Sequence, residues 1–344
     1  MIFDIIITSY NRPQKVEWLV QALHSEYVRK IIIVDSGGNT FHSFESNDKV
    51  ILCRSSHKNQ PYQRYLGHQI AETDWLLYLD DDMEPIDGWD TEICMLIEKY
   101  SSVGIIGIKF EDKHQETFLK RNERSITSRN TASPFVQRLR YLTGYPILPA
   151  GRFYKNGVRA GYPSLEGPTD YVGGPVFLAN RKILYQNFNM ELFSLFEKRM
   201  GTGEDSILSY TAAMVASGIF YPKQLFWHND QGNSVYTQNH YQFNKIVAFS
   251  RLYLNLEYYR LNNLSLLFAK FSFINYSFWR ILGFIINLIF KPSKNRFTSL
   301  RGYFVGTMKA LFYHYEENLL KNYSYWNSEA VRDLNILKGG GKYV

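Results

Sequence analysis

The first 110 residues of this 344-residue chain alternate between short apolar runs and longer segments with helical periodicity. The runs have strand length and are rich in β-branched residues; they are Ile5–Thr8, Lys30–Asp35, Val50–Cys53, Trp75–Leu79 and Val103–Ile108. Between them lie segments with apolar residues three and four positions apart, Gln14–His24, Gln60–Ala71 and Trp89–Tyr100. Strands that alternate with helices build βαβ units. The pattern therefore predicts an α/β fold with a mostly parallel sheet flanked by helices.

The alternation stops at residues 111–165, where basic residues stand among polar, glycine and proline positions. These basic residues include Lys120, Arg121, Arg124, Arg129, Arg138, Arg140, Arg152 and Arg159. Because long stretches without secondary structure are usually functional or disordered, we expect a mobile insertion that covers the functional site of the protein. Regular structure is expected again at Tyr171–Ala179, in a helix over Glu204–Ser217, and at Ile219–Tyr221.

Composition is that of a folded protein, with 45% hydrophobic and 21% charged residues. Its two cysteines, Cys53 and Cys94, have no metal-ligand spacing, which fits a reducing compartment. The N-terminal run Met1–Ile7 has no basic region and no cleavage site, so we interpret it as a first strand and not as a secretion signal.

Positive charge is concentrated in the last third of the chain. Residues 1–240 hold 25 Lys and Arg against 27 Asp and Glu, whereas residues 241–344 hold 14 against 5. This asymmetry predicts a boundary near residue 240, with one domain over 1–240 and a basic, aromatic-rich helical region over 241–344 that meets an anionic surface, either nucleic acid or membrane.

Within this region one apolar helix face is predicted, formed by Phe297, Leu300, Phe304, Met308 and Leu311. A mostly apolar run over 271–290 is interrupted by Arg280 and Asn287, which makes it marginal as a membrane span. Three interpretations stay open: a helical subdomain packed on the core, interfacial membrane helices, or a true span.

Three consecutive carboxylates, Asp80, Asp81 and Asp82, follow the strand predicted over Trp75–Leu79. Like charges at one strand end cost stability unless a cation or hydrogen-bond donors compensate them. Ligands of open α/β sheets bind at the carboxyl ends of the strands, and Mg²⁺ takes carboxylates together with substrate phosphates. The run therefore indicates a metal and phosphate site, with a solvated acidic turn as the alternative.

Other polar positions follow predicted strands or open helices in the same way. They are Thr8–Pro13 after the first strand, Asp35–Gly38 after the second, Asn59 and Arg64 near a helix start, and Gly203–Asp205 at a later one. Carboxylates at a helix start are favoured by the helix dipole. Because three of these positions follow strands, we expect them to meet at one edge of the parallel sheet.

In combination these motifs resemble the family 2 inverting glycosyltransferases of the GT-A (Rossmann-like) fold, of the bacterial surface-polysaccharide type. The resemblance covers roughly residues 1–230 and implies that the domain over 1–240 is the nucleotide-sugar-binding and catalytic one. The matching pieces are Ile7–Arg12, Val34–Asp35, Arg64, Asp80–Asp82, Gly173–Gly174 and Glu204–Asp205.

The resemblance implies a role for each matched residue. The nucleotide-sugar donor would contact a set of residues comprising Thr8, Tyr10, Arg12, Asp35, Arg64, Asp80, Asp81, Gly173 and Gly174. Within this set, Thr8, Tyr10 and Asp35 would hold the base. Asp82 would bind a divalent Mn²⁺ or Mg²⁺, with His228 either a further ligand or a structural histidine beside Trp227. Asp205 would be the catalytic base, and Glu204 would orient the acceptor or the helix start.

The chemistry agrees with these roles. A metal stabilises the departing diphosphate, while one carboxylate on the far side takes the acceptor proton, which gives inversion in a single displacement. The Gln-x-x-Arg-Trp element of processive synthases is missing, which favours the addition of one sugar per encounter.

The expected partners are a nucleotide diphosphate sugar, most simply a uridine one, a glycan or lipid-linked acceptor, and the inner face of the cell membrane. A nucleotidyltransferase is the first alternative, but its glycine-rich phosphate loop is replaced here by Ser9–Pro13. A phosphatase is a second alternative, but this sequence lacks the motifs that would support a phosphatase nucleophile at Asp80. A non-enzymatic nucleic-acid-binding or membrane-binding protein would explain the basic region, but no nucleic-acid signature occurs and no nucleic-acid partner is expected.

Overall fold

The computed structural model describes residues 1–38, 41, 47–113, 134–229 and 239–339. A nine-stranded sheet in the strand order β3-β2-β1-β4-β10-β6-β11-β5, with β9 paired to β11, forms the centre of the molecule. Strands β3, β2, β1 and β4 are mutually parallel, whereas β10 runs antiparallel to both of its neighbours, β4 and β6. The predicted α/β class with a mostly parallel sheet is confirmed.

The strands are β1 (Phe3–Ser9), β2 (Val28–Asp35), β3 (Val50–Arg54), β4 (Trp75–Asp80), β5 (Met83–Pro85), β6 (Ile105–Asp112), β7 (Phe153–Tyr154), β8 (Val158–Arg159), β9 (Gly167–Pro168), β10 (Val176–Asn180) and β11 (Gly218–His228). The helices are α1 (Pro13–Ala22), α2 (Gln60–Ile70), α3 (Trp89–Lys99), α4 (Pro134–Leu142), α5 (Glu191–Glu197), α6 (Glu204–Ala216), α7 (His240–Leu261), α8 (Leu266–Phe290), α9 (Lys294–Leu311) and α10 (Leu319–Gly339).

Buried apolar residues lie on both faces of the sheet, because alternate side chains of a strand point to opposite sides. In β1, Ile6 packs in one cluster with α2 and the C-terminal helices, while Ile5 and Ile7 pack in the other with α1 and α3. This is the burial that a parallel sheet covered on both faces requires, and it explains why the first strands have continuous apolar runs.

The insertion predicted over 111–165 is partly wrong. Residues 114–133 lie outside the described residues, but the remainder holds helix α4 and the short hairpin β7–β8. Asn156 in this hairpin is fully buried, and its backbone N–H donates to Asn255 of α7 at 2.8 Å. The described part of the segment is therefore ordered by contacts with the C-terminal helices.

Helix α9 packs on α7 through small residues. A Cβ atom on Gly306 would lie 2.2 Å from the carbonyl oxygen of Lys245, and one on Gly302 would lie 2.3 Å from that of Tyr241. The backbones of the two helices can approach this closely only because Gly302 and Gly306 have no side chain.

The apolar face predicted on α9 points away from α7. Phe297 and Phe304 of this face are 57% and 52% exposed. The prediction of one apolar helix face is correct as a pattern, but the face does not form the helix packing. Small residues provide that packing, and the large apolar ones remain at the surface.

Helix α8 is, within the described part of the chain, the helix that is long and apolar enough to cross a membrane, and 17% of its most apolar 18-residue window is buried. Ala269, Phe273, Tyr276 and Ser277 pack inward near its first half. Its second half is largely exposed and ends at Phe290, which is 80% exposed.

Helix α10 returns to the edge of the sheet beside β3. The carboxylate of Asp333 accepts hydrogen bonds from the backbone N–H and hydroxyl of Ser56, each at 3.1 Å, and from Tyr62 Oη at 3.0 Å. Trp326 is fully buried against Tyr62 and Phe193. One buried apolar cluster thus runs from the sheet into the C-terminal helices, and the division at residue 240 stays a prediction.

Candidate active site

The ends of three parallel strands bring the predicted polar residues together. In the strand register Ser9 of β1 faces Asp35 of β2, and Thr8 faces Asp80 of β4. Thr8 is 5% exposed, and its hydroxyl has no hydrogen-bond partner among the described residues. The carboxyl edge of the sheet therefore gathers the side chains that follow β1, β2 and β4, as the sequence predicts.

The acidic run is compensated by a surrounding set of donors. Arg12 Nη1 lies 2.8 Å from Asp81 Oδ1 and 3.1 Å from Asp82 Oδ2. Ser9 Oγ donates to Asp81 Oδ2 at 2.9 Å, and Gln60 Nε2 donates to Asp80 Oδ1 at 2.8 Å. Since Asp81 is only 7% exposed, the alternative of a solvated acidic turn is wrong.

Burial and partners set the pKa values of the three carboxyls apart. Burial raises the pKa of Asp81 to about 6 against the opposing effect of Arg12. Burial also raises the pKa of Asp80, although Arg64 opposes the change. For Asp82 burial has the same sign, but hydrogen bonding and charge from His228, together with Arg12, lower the pKa overall. Asp82 is therefore the member of the run that is most firmly ionised.

Asp82 and His228 approach each other at the end of β11. His228 Nε2 lies 3.4 Å from Asp82 Oδ1, and His228 Nδ1 bonds to Asp112 Oδ1 at 2.6 Å. Burial lowers the pKa of His228, but the hydrogen bonds and charges of Asp82 and Asp112 outweigh it and raise the pKa to about 9.

A divalent cation fits this pair. Asp82 Oδ1 is buried and its contact among the described residues is the ion pair with His228 Nε2 at 3.4 Å, so a cation bound between these two atoms would take the place of the proton on that nitrogen. The described residues contain no group of three or more His, Cys, Asp or Glu that could hold a metal. Mg²⁺ typically takes one or two carboxylates and completes its shell with water and substrate phosphates, so a two-residue site is compatible with it.

Asp35 and Tyr10 lie on the side of the site that is proposed for the nucleotide base. Asp35 is fully buried, accepts the backbone N–H of Gly37 at 3.1 Å and pairs with Arg54. Burial raises the pKa of Asp35, and Arg54 opposes that change. Tyr10 is 40% exposed, and Lys58 Nζ lies 3.3 Å from its ring centroid. Tyr10 directly follows Ser9, which pairs with Asp35 in the sheet, so this side of the site offers one exposed stacking surface and one buried hydrogen-bond acceptor.

Arg64 connects the acidic run to the start of α6. Its side chain is 2% exposed; Nη2 donates to Asp80 Oδ1 at 2.9 Å and to the carbonyl of Gly174 at 2.8 Å, and Nη1 lies 3.5 Å from Glu204 Oε1. Burial and the charge of Asp205 raise the pKa of Glu204 to about 7, although Arg64 opposes the change. A single buried guanidinium thus couples the two acidic clusters.

Asp205 lies at the start of α6, after Gly203 in a left-handed conformation with φ of 85°. Arg159 Nη1 lies 3.8 Å from Asp205 Oδ2 and also donates to Ser206 Oγ at 2.8 Å. A Cβ atom on Gly174 would stand 3.5 Å from Asp205 Oδ2 and from Arg64 Nη2. Gly174 therefore keeps open the space between the guanidinium and the carboxylate.

Gly173 has a different environment from Gly174. A Cβ atom there would lie 2.9 Å from Phe110 Cε1 and 3.0 Å from the hydroxyl of Tyr162. The close approach of these two rings explains the glycine by packing, so Gly173 as a donor-binding residue stays a prediction.

Sequence reasoning missed three residues of this site, Arg54, Asp112 and Arg159. Arg54 faces Asp35 in the β2–β3 register, so its position at a strand end next to an acidic strand end was a usable signal. Asp112 likewise faces His228 in the β6–β11 register. Arg159 was one basic residue among many in the insertion, and the sequence held no signal for its contact with Asp205.

A helix-flanked, mostly parallel sheet with a carboxylate run at the end of a central strand matches the GT-A fold. Residues 4–162, a little under half of the chain, match the family model described as Glycosyl transferase family 2. The matched region belongs to that family, and the protein is an enzyme of the glycosyltransferase class.

Solved structures of S. aureus TarS are similar to the chain along its length. The crystal structure of residues 1–349 has 12% sequence identity and a TM-score of 0.49, covering 98% of this chain and 90% of that one. The same protein in complex with UDP-GlcNAc has 11% identity and a TM-score of 0.49, covering 98% and 91%. A further TarS structure has 11% identity and a TM-score of 0.45, covering 98% and 55%. A search of curated proteins found no match.

Proposed function

We propose that the enzyme transfers one sugar at a time from a nucleoside diphosphate sugar, most simply a uridine one, to a hydroxyl of a glycan or lipid-linked acceptor, with inversion. The missing Gln-x-x-Arg-Trp element of processive synthases supports single addition. The product would belong to a cell-surface polysaccharide.

The observation that carries this proposal is the position of Arg64 between two acidic clusters. Asp80 lies on one side at 2.9 Å and Glu204 on the other at 3.5 Å. A sugar transferase needs a donor site and an acceptor base on opposite sides of one reacting carbon. Arg64 stands between the side assigned to the leaving diphosphate and the side assigned to the acceptor hydroxyl, with room for the reacting carbon between these two sides.

The transfer step is a single displacement at the anomeric carbon. The acceptor oxygen forms a bond to this carbon while the bond to the diphosphate oxygen breaks, and the electron pair leaves with the diphosphate. Asp205 takes the proton of the acceptor hydroxyl, and such proton transfer typically contributes 10²–10⁴-fold to the rate. Arg64 and Arg12 supply fixed positive charge near the leaving group, which favours its departure.

A divalent cation at Asp82 and His228 would neutralise charge on the departing diphosphate when bound. The residues around this position have their own tasks in the proposal. Thr8, Tyr10 and Asp35 bind the nucleotide base, and Asp80 and Asp81 hold the ribose and would support the cation that Asp82 holds on the diphosphate. Glu204 positions the acceptor through its contact with Arg64.

Calorimetry with UDP tests the donor site. We expect UDP to bind in the presence of Mn²⁺ and to lose most of its affinity in EDTA. Asp82→Ala should remove the Mn²⁺ dependence, whereas Asp170→Ala, at a carboxylate paired with Arg152 outside the site, should leave binding unchanged. Equal binding with Mn²⁺ and with EDTA would overturn the metal site, and no binding in either condition would overturn the uridine donor.

We also propose that α8 and α9 attach the enzyme to the cytoplasmic face of an anionic membrane. Residues 258–315 contain eight Lys and Arg and no Asp or Glu. Exposed large apolar residues on the same helices include Phe271 and Phe278, both 59% exposed, and Ile289 at 70%. Exposed apolar residues beside basic ones are the properties of an interfacial helix.

A further inference from the structure

A cavity of about 630 Å³ lies between α4, the hairpin β7–β8, α7 and α8. Four arginines line it, one from each of these elements: Arg140, Arg159, Arg251 and Arg280. Two tyrosines, Tyr145 and Tyr276, stack with ring centroids 4.5 Å apart in its wall. No acidic residue is among the described residues that line it.

Most of this positive charge is not neutralised by the protein. In the described part of the chain, Arg159 forms an ion pair with Asp205, and the other three arginines form none. Arg251 Nη1 donates to the backbone carbonyls of Asn156 and Gly157, which fixes its position without cancelling its charge. Arg280 lies 5.9 Å from the ring centroid of Tyr145. Like charges around one cavity repel, and an anion bound between them relieves that repulsion.

The cavity borders Asp205, the proposed catalytic base. Arg159 lines it and also stands 3.8 Å from Asp205 Oδ2. An anionic group held by the four arginines would therefore lie beside the carboxylate that receives the acceptor proton. The donor diphosphate, in contrast, is assigned to Asp80–Asp82 and Arg64, on the other side of Asp205 and Glu204.

We infer that this cavity binds a phosphate or diphosphate group of the acceptor and thereby places the acceptor hydroxyl at Asp205. The inference rests on the proposed function, since it assumes transfer at Asp205. Guanidinium groups suit this chemistry because their planar donor arrays match phosphate oxygens in pairs.

A second cavity of about 420 Å³ continues along α8 and shares Tyr145 and Arg280 with the first. Its wall is mainly apolar and includes Trp279, Leu282 and Phe284. An apolar chain attached to the phosphate would fit this second cavity and lead toward the exposed side of α8. A phosphate within a water-soluble polymer would use the first cavity alone.

Calorimetry on the full chain separates these sources. Three probes are compared: farnesyl diphosphate, inorganic pyrophosphate and farnesol. Titrations are run with saturating UDP and Mn²⁺, so that the donor site is filled, and again in EDTA without nucleotide. We expect farnesyl diphosphate to bind more tightly than pyrophosphate, and farnesol to bind least.

The variant Arg140→Gln/Arg280→Gln should weaken farnesyl diphosphate binding about tenfold or more, because hydrogen bonds to charged groups are lost. Both side chains are exposed, so the fold should persist, and UDP affinity should not change. Lys270→Gln/Lys309→Gln removes two exposed cations of α8 and α9 that do not line the cavity, and it should leave the binding of all three probes unchanged.

Each remaining outcome has a definite meaning. Equal affinity for pyrophosphate and farnesyl diphosphate, lost in the double variant, supports the phosphate site and identifies a water-soluble acceptor. Phosphate probes that do not bind, or that bind the double variant equally well, overturn the inference. Failure of UDP to bind would overturn the proposed donor, while the EDTA titrations still decide whether the cavity binds phosphate.

Discussion

The carboxyl edge of the sheet and the helices α8 and α9 differ in which side chains they bury and which they expose. At the sheet edge, Asp81 and Arg64 are nearly fully buried and the apolar residues are inside. On α9 the contacts with α7 are made by small residues such as Gly302 and Gly306, and many large apolar side chains of α8 and α9 face outward. Positive charge at the sheet edge is paired with carboxylates, whereas residues 258–315 contain no carboxylate.

This difference is the physical basis for proposing a different partner for each region. A sheet edge with paired buried charges is pre-organised for a small, highly charged ligand, because its dipoles are fixed before the ligand arrives. Helices with exposed apolar and unpaired basic side chains are suited to a large surface that is itself apolar and anionic.

The largest expected effect is at the base. Asp205→Asn should reduce sugar transfer by about 10²–10⁴-fold, because the amide keeps the shape of the side chain but cannot accept the proton. UDP affinity and thermal stability should stay near those of the parent enzyme. Steady-state transfer assays and UDP calorimetry measure both.

Asp170→Asn is the matched control, since this aspartate is also paired with an arginine but lies outside the site. If the Asp205 variant keeps most of its turnover, Asp205 is only a helix-start residue. The sheet edge would then have no catalytic base among the residues proposed for it.

Next in size is the packing of α9 on α7. Gly306→Ala should destabilise the protein by about 1–3 kcal/mol, because its Cβ would lie 2.2 Å from a backbone carbonyl that cannot easily move. Gly283→Ala in α8 has no heavy atom within 4 Å of the new Cβ and should be neutral or stabilising. Chemical denaturation measures both, and equal stability of the two variants would contradict packing through small residues.

The sheet edge should also show a specific pH dependence through Glu204, whose pKa is raised to about 7 by burial and by Asp205. The folded protein then binds more protons than the unfolded chain between about pH 4.5 and 7, so this group lowers stability as pH rises through that window. Glu204→Gln should remove this pH dependence. The free energy of unfolding of the variant, relative to that of the parent, should therefore increase by on the order of 1–3 kcal/mol between pH 5 and pH 8.

Glu92→Gln is a control of opposite sign. Hydrogen bonds from Lys223 and Tyr221 lower the pKa of Glu92, so it stabilises the fold above its unfolded pKa, and this stability is lost as pH falls. Thermal denaturation at several pH values compares the variants. A Glu204→Gln difference that does not change with pH would show that Glu204 is ionised throughout.

The smallest effect per residue is expected at the membrane surface. Lys291→Gln/Lys294→Gln should weaken the free energy of binding to phosphatidylglycerol vesicles by about 1 kcal/mol for each charge removed, as measured by sedimentation. Lys99→Gln/Lys182→Gln removes the same charge from the sheet domain and should have little effect. An intact protein that stays soluble with these vesicles at low and moderate salt would contradict membrane attachment.

The helices and strands of the first 110 residues that the sequence predicted have ends within about two residues of those found, except for the end of β6, because each apolar run there is buried by local βαβ geometry. The α2 helix, predicted over Gln60–Ala71, is found at Gln60–Ile70. The strand-end positions of Asp35 and Asp80 follow from the same geometry. Arg159 could not be predicted in its place, since its contact with Asp205 depends on how a distant hairpin packs on α7.

Helix α9 shows a different reason for failure. Periodicity located the apolar face correctly but could not tell whether protein or another medium covers it. The spacing of Gly302, Gly306 and Ala310 was the signal for the packed face, because small residues four positions apart allow two helices to approach closely.

The hydrogen bonds between Ser56 and Asp333 join residues 277 positions apart, so they set an order of events during synthesis. At roughly 5–20 residues per second, a ribosome needs about 14–55 s to make Asp333 after Ser56. Throughout that interval the edge of the sheet at β3 and the ring of Tyr62 lack the cover of Trp326. The nascent enzyme therefore carries an open strand edge until α10 emerges, and an uncovered edge of this kind is a site where other chains can pair.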